Sequence, residues 1–138
     1  MAGYSGKPLV QRLGIKPGFC VFVDGLSVAY ADVVGELPDD VRIANTARVP
    51  LDMVHVFATE AKGLAAKLRF YRKAITPDGM IWASWPKKAS GVATDVTETV
   101  VRATALANGL VDIKVCAVDE VWSGLKLVIP VKDRAKKK

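Results

Sequence analysis

Three short runs of nearly unbroken apolar residues constrain this sequence more than any other feature: Phe19 to Val23 (FCVFV), Asp52 to Ala58 (DMVHVFA) and Met80 to Trp85 (MIWASW). A strand with one wet face alternates apolar and polar residues, whereas an uninterrupted run needs cover on both faces, as in the middle of a parallel sheet. Parallel neighbours require crossover connections, and the intervening sequence supplies them. A short helix is expected around Val28 to Gly35, and a second strand near Val41 to Asn45 after the turn at Pro38-Asp39-Asp40. After the Asp52 run, Thr59 is expected to cap a helix whose Ala61, Leu64, Leu68, Tyr71 and Ile75 recur at helical steps on one face. Lys62, Lys67, Arg69, Arg72 and Lys73 populate the other side of that helix and read as an exposed surface.

Thr76-Pro77-Asp78-Gly79 is a tight turn before the Met80 strand. A loop from Pro86 to Thr94 then leads to a further helix. Its start is marked by Asp95 with Glu98 three residues on, an approximate capping box, and its end by Asn108-Gly109. Val111 to Val118 and Leu125 to Val131 are strand runs joined by a link too short for a parallel crossover, so they form an antiparallel hairpin. The expected fold is therefore α/β: a mostly parallel, Rossmann-like sheet with helices on both faces and an antiparallel C-terminal hairpin strand. Residues 1–131 are expected to form a single domain. Residues 132–138 are expected to form a disordered basic tail.

With 138 residues, 51% of them hydrophobic, the chain can stabilise an ordinary core without a metal or disulfide. Cys20 and Cys116 lie in apolar strand runs and read as reduced core thiols. His55 is the only histidine and also lies in an apolar run, which leaves no ligand cluster for a metal. The formal charge of +6 is concentrated in the tail KDRAKKK, which carries +4 and leaves +2 for the rest. Such a tail adds salt-sensitive attraction to polyanions without specificity. Weak nucleic-acid binding through it is an alternative reading and not the leading one. No apolar stretch is long enough for a membrane span, no N-terminal apolar segment suggests secretion, and a cytoplasmic location is expected.

The stretch from Asp52 to Pro86, with DMVHVF, a helix, LRFYRKAITPDGM and IWASWP, resembles the central part of class I methyltransferases, as does the terminal hairpin. Over most of its length the chain also resembles a bacterial family catalogued as domain of unknown function 3052. That match is carried by Gly3-Tyr4-Ser5-Gly6 with Pro8-Leu9, by Leu13-Gly14-Ile15-Lys16, by Trp85 to Gly91 with Thr94-Asp95, and by Val115 to Glu120 leading to Trp122 to Lys126. The resemblance implies the fold without an activity. A class I methyltransferase holds S-adenosylmethionine with a glycine-rich turn after its first strand and an acidic residue ending its second. Here the first turn, Val23-Asp24-Gly25-Leu26-Ser27, has a single glycine, and the second strand ends in Arg42-Ile43-Ala44-Asn45. No cofactor is expected on this reading, and a degenerate methyltransferase-like enzyme is the alternative.

Ligands of parallel sheets collect beyond the carboxyl ends of the strands. Candidate ligand residues there are Trp85, Lys87, Lys88, Ser90 and Gly91 in the loop after the Met80 strand. Lysines and a hydroxyl beside a helix N-terminus could receive a phosphate or carboxylate. The hairpin connection adds Asp119, Glu120, Trp122 and Ser123, with Lys126 beyond it. An N-terminal arm could bring Tyr4 or Ser5 over the same edge. The leading expectation is a non-catalytic or regulatory domain that binds a small anionic ligand or a protein partner through these groups.

Overall fold

The computed structural model describes residues 7–48 and 50–134. Helix α1 (Leu9–Leu13) follows Pro8 and is closed by Gly14 in the left-handed region at φ 84°. Strand β1 (Cys20–Asp24) is followed by α2 (Tyr30–Val34), the two-residue β2 (Arg42–Ile43), β3 (Leu51–Phe57) and α3 (Leu64–Ala74). Then come β4 (Ile75–Pro86), α4 (Glu98–Ala107), β5 (Val111–Ala117) and β6 (Trp122–Val128).

The strands form one six-stranded sheet in the order β2-β1-β3-β4-β6-β5. β1 pairs in parallel with β2 and β3, and β3 with β4. β6 runs antiparallel between β4 and β5, as its short link to β5 requires. The α/β expectation therefore holds, including the C-terminal hairpin.

From Met53 onward, past an irregularity after Leu51, successive side chains along β3 enter opposite layers. Leu51, Val54 and Val56 join a core beneath α3 and α4, with Leu64, Leu68, Val101 and Ala105 from the helices. Met53 and Phe57 join a second core beneath α1 and α2, with Val10, Leu13, Tyr30 and Val34. The unbroken apolar runs are thus explained by two covered faces. On the second face the Trp82 indole donates to the Leu13 carbonyl at 2.8 Å, tying the end of α1 to the middle of β4.

Local starts differ from the sequence reading where a distant partner intervenes. α4 begins at Glu98, capped by Thr97, whose hydroxyl accepts from the Val100 amide at 3.2 Å. The Asp95 carboxylate instead accepts from the Ala61 amide at 2.8 Å, bracing the segment ahead of α3. Thr59 is likewise not a cap: α3 starts after Gly63, at φ 86°, with no side-chain cap. β4 begins five residues early, at Ile75, and its pairing jumps from Leu51 opposite Ile75 to Met53 opposite Met80. The expected turn at Thr76 to Gly79 is therefore an excursion within the strand.

The sheet edges are unlike. β2 is minimal, whereas β5 is seven residues long, exposes Ile113 and Val115, and is interrupted by an irregularity between Asp112 and Lys114. The chain turns back after β6: Val131–Asp133 form a 3₁₀ turn, and Asp133 lies 3.9 Å from Arg72.

Candidate functional site

From β1 the chain moves outward to β2 and then returns across β1 to β3, so connections leave this pair of strands in opposite directions. That reversal opens a crevice at the carboxyl ends of β1 and β3. A pocket of about 250 Å³ lies there, lined by Gly25 from the end of β1, by Phe57, Ala58 and Thr59 from the end of β3, and by Glu60. Lys62, Leu64 and Lys67 close it from the side of α3. Pockets for drug-sized ligands span about 300 to 1,000 Å³, so this one suits a smaller guest.

The start of α3 faces that pocket with unusual openness. Its first turn carries no acidic residue, and no side chain caps its amides. The first amides of a helix lack intrahelical acceptors and sit at the positive end of the helix dipole. α4 by contrast has both the Thr97 cap and Glu98 in its first turn. On the β1 side, the Asp24 carboxylate accepts from the Tyr71 hydroxyl at 2.5 Å and from the Lys67 ammonium at 3.3 Å. Burial, and then the bond to Asp24, push the Tyr71 hydroxyl above its ordinary pKa, so it stays a donor.

S-adenosylmethionine fits these residues poorly. A Cβ on Gly25 would collide with the Phe57 carbonyl, so the β1 turn is packed against β3 where a cofactor would need space. Both Asp24 oxygens are engaged, and Asn45, beyond β2, brings no carboxylate for a ribose.

The residues singled out in the sequence divide three ways. Lys87 and the hairpin tip do come together: the Lys87 amide donates to Val121 O at 2.7 Å and its ammonium to Asp119 O at 2.6 Å. Asp119 itself accepts from the amides of Val121 and Trp122, at 2.8 and 2.7 Å, and so shapes the turn. Ser90 donates to Lys87 O at 2.6 Å and accepts from the Val92 amide. Lys88, Gly91 and Glu120 are exposed, while Trp122 and Ser123 are half-buried, Trp122 edge-on to Phe57 with ring centres 5.1 Å apart. Trp85 is buried in the α3/α4 layer. Lys126 is elsewhere, opposite Trp82 in mid-sheet. Tyr4 and Ser5 lie outside the described residues.

The loop nevertheless borders the pocket, because the Thr94 hydroxyl donates to Thr59 O at 2.7 Å and Asp95 holds Ala61. Lys62, Lys67 and the start of α3, which no side chain caps, do not stand out in the sequence, where both lysines have the pattern of a wet helix face. The available sign was the absence of a Ser, Thr, Asp or Asn immediately before Leu64, where Gly63 stands.

His55 occupies neither a metal site nor the crevice. Its ring is fully buried, with Nδ1 2.6 Å from the Tyr30 hydroxyl and Nε2 2.8 Å from the Ser84 hydroxyl. Phe57 stacks on it at 4.2 Å. Burial pushes the imidazole pKa down to about 3, so the ring is neutral and donates from one nitrogen while accepting at the other. The three side chains are sealed from solvent, with Ser84 1% exposed, and serve to fasten α2 to β3 and β4. Both cysteines are buried and free, and the described residues hold no cluster of metal ligands and no helix long and apolar enough to cross a membrane.

No family model matches the sequence, and no curated protein matches it. Solved structures match its shape. An S-adenosylmethionine-dependent methyltransferase from Aquifex aeolicus superposes with a TM-score of 0.62 at 14% identity, over 87% of each chain. The fibrillarin pre-rRNA processing protein of Methanococcus jannaschii gives 0.60 at 10% identity, over 83% of this chain and 68% of that one. The 1,6-didemethyltoxoflavin-N1-methyltransferase of Burkholderia thailandensis, bound to 1,6-didemethyltoxoflavin and S-adenosylhomocysteine, gives 0.59 at 13% identity, over 86% of this chain and 73% of that one. At such identities the likeness establishes the architecture alone: the chain has a class I methyltransferase-like Rossmann fold.

Proposed function

We propose that this protein is a non-catalytic or regulatory binding domain that takes a small anionic ligand at the carboxyl edge of its sheet. The observation carrying this reading is the 250 Å³ pocket at the β1/β3 reversal, where Lys62 and Lys67 flank the uncapped start of α3. A helix start that no side chain caps and two ammonium groups in one small recess favour a carboxylate or phosphate of modest size. Glu60 on the rim tempers the field, and Asp24 holds Lys67 at the inner wall. Lys87, Lys88, Ser90, Gly91 and the hairpin tip at Asp119 to Ser123 form the outer border of that edge. They are proposed to contact the ligand's far end or a protein partner. Membership of the domain of unknown function 3052 family is proposed with it, from the sequence motifs.

Thermal-shift titration of the whole chain with phosphate, small carboxylates and nucleotides tests the reading. A saturable rise in melting temperature that disappears in a Lys62→Ala/Lys67→Ala variant is expected. Full retention of binding in that variant removes the pocket, and retention in Lys87→Ala/Lys88→Ala removes the border from the site. Isothermal titration with S-adenosylmethionine decides the rival reading, because micromolar binding would establish a cofactor site despite the closed β1 turn.

A further inference from the structure

On the α1 side of the sheet, three lysines lie close together around the middle of β6. Lys126 on β6 lies directly opposite Lys114 on β5. Like charges in directly opposed cross-strand positions repel, and an ordinary sheet surface gains by alternating their sign. The Lys126 ammonium is folded inward against the turn after α1, 3.8 Å from where a Cβ on Gly14 would stand. Lys16, two residues beyond that glycine, adds a third positive charge. Burial lowers the Lys126 pKa first, and Lys114 and then Lys16 lower it further. Arg12 reaches the same face, its Nη1 3.5 Å from Cys116 Sγ on β5. Lys67, Arg72 and Arg102 form ion pairs elsewhere in the fold, and none of these pairs involves Lys16, Lys114 or Lys126.

We propose that Lys16, Lys114 and Lys126 form a second binding site, for the phosphoryl group of a small, multiply charged phosphate ligand. Three neighbouring lysines, two at directly opposed strand positions and one just past the turn that the Lys126 ammonium touches, suit a compact dianion, which relieves their mutual repulsion by binding among them. A nucleic-acid strand fits less well: single-stranded binding uses aromatic platforms for the bases, and among the described residues the large exposed aromatic, Phe70, belongs to α3 on the opposite face. The site is independent of the Lys62/Lys67 pocket.

The test follows the lysine side-chain amines by NMR while the whole protein is titrated with pyrophosphate, with inorganic phosphate and with a single-stranded oligonucleotide. Saturable pyrophosphate shifts at Lys126 and Lys114 are expected, unchanged in Lys62→Ala/Lys67→Ala. Weakening on the order of tenfold is expected in Lys126→Met or Lys114→Gln, the size of one lost charge-assisted bond. Melting of the unliganded variants separates lost binding from lost folding, and Lys114→Gln, at an exposed position, keeps the test open if Lys126→Met is unstable. The proposal is overturned if pyrophosphate leaves both resonances unmoved, if a folded variant binds as the parent does, if the shifts vanish in Lys62→Ala/Lys67→Ala, or if the oligonucleotide binds where pyrophosphate does not.

Discussion

The interior beneath α1 and α2 and the carboxyl edge of the same sheet treat polar groups in opposite ways. Inside, Tyr30, His55 and Ser84 make a closed chain of two hydrogen bonds in which the ring nitrogens are matched. At the edge, Lys62 and Lys88 are left facing water, and no side chain caps the start of α3. A buried polar group without a partner costs far more than an exposed one, so interior polarity must be complete while edge polarity can stay open. Completed polarity holds elements in place; open polarity is what a ligand can use. The difference separates the groups that fix this fold from those that could recognise something.

That contrast can be broken by substitution, starting inside. Trp82→Ala empties the centre of the α1 layer and frees the Leu13 carbonyl, and should lower unfolding free energy by about 3–5 kcal/mol in denaturant titration. Tyr30→Phe leaves one imidazole nitrogen unmatched and should cost about 1–3 kcal/mol, although Tyr30 is distant in sequence from both partners. The same ring gives a pH signature. The unfolded chain takes up a proton near pH 6.5 that the folded ring refuses until about pH 3, so stability falls as pH drops through that window. The slope should approach about 1.4 kcal/mol per pH unit, and equilibrium unfolding between pH 6.5 and 5 should show it flattened in His55→Gln. At the edge, Lys87→Met removes the bond to Asp119 O and should cost about 0.5–1.5 kcal/mol. Lys88→Ala should leave melting unchanged; a clear loss would show that the loop is structural throughout.

What could be read from sequence follows the same division. Both covered faces were legible from FCVFV, DMVHVFA and MIWASW, because periodicity records burial directly, and the β5/β6 hairpin was legible from its short link. The starts of α3 and α4 were not. Asp95 has the composition of a cap, but its carboxylate is taken by the Ala61 amide, a partner that only the packed chain brings near. Lys126 sat in a run beside the hairpin tip and was grouped with it. Its ammonium instead lies with Lys16 and Lys114, because strand direction carries position 126 away from the turn. Lys62 and Lys67 are indistinguishable in sequence from any wet helix face, and only the reversal between β1 and β3 gives them a pocket to line.

The long edge strand β5 has a consequence for self-association. Seven residues with exposed Ile113 and Val115 could template pairing with another chain, and the irregularity at Asp112 to Lys114, together with the Lys114 charge, works against that. Removing this charge takes away one of the features that discourage edge-to-edge pairing. Concentrated samples of Lys114 variants should therefore be watched for fibrils or precipitate even when the monomer melts normally.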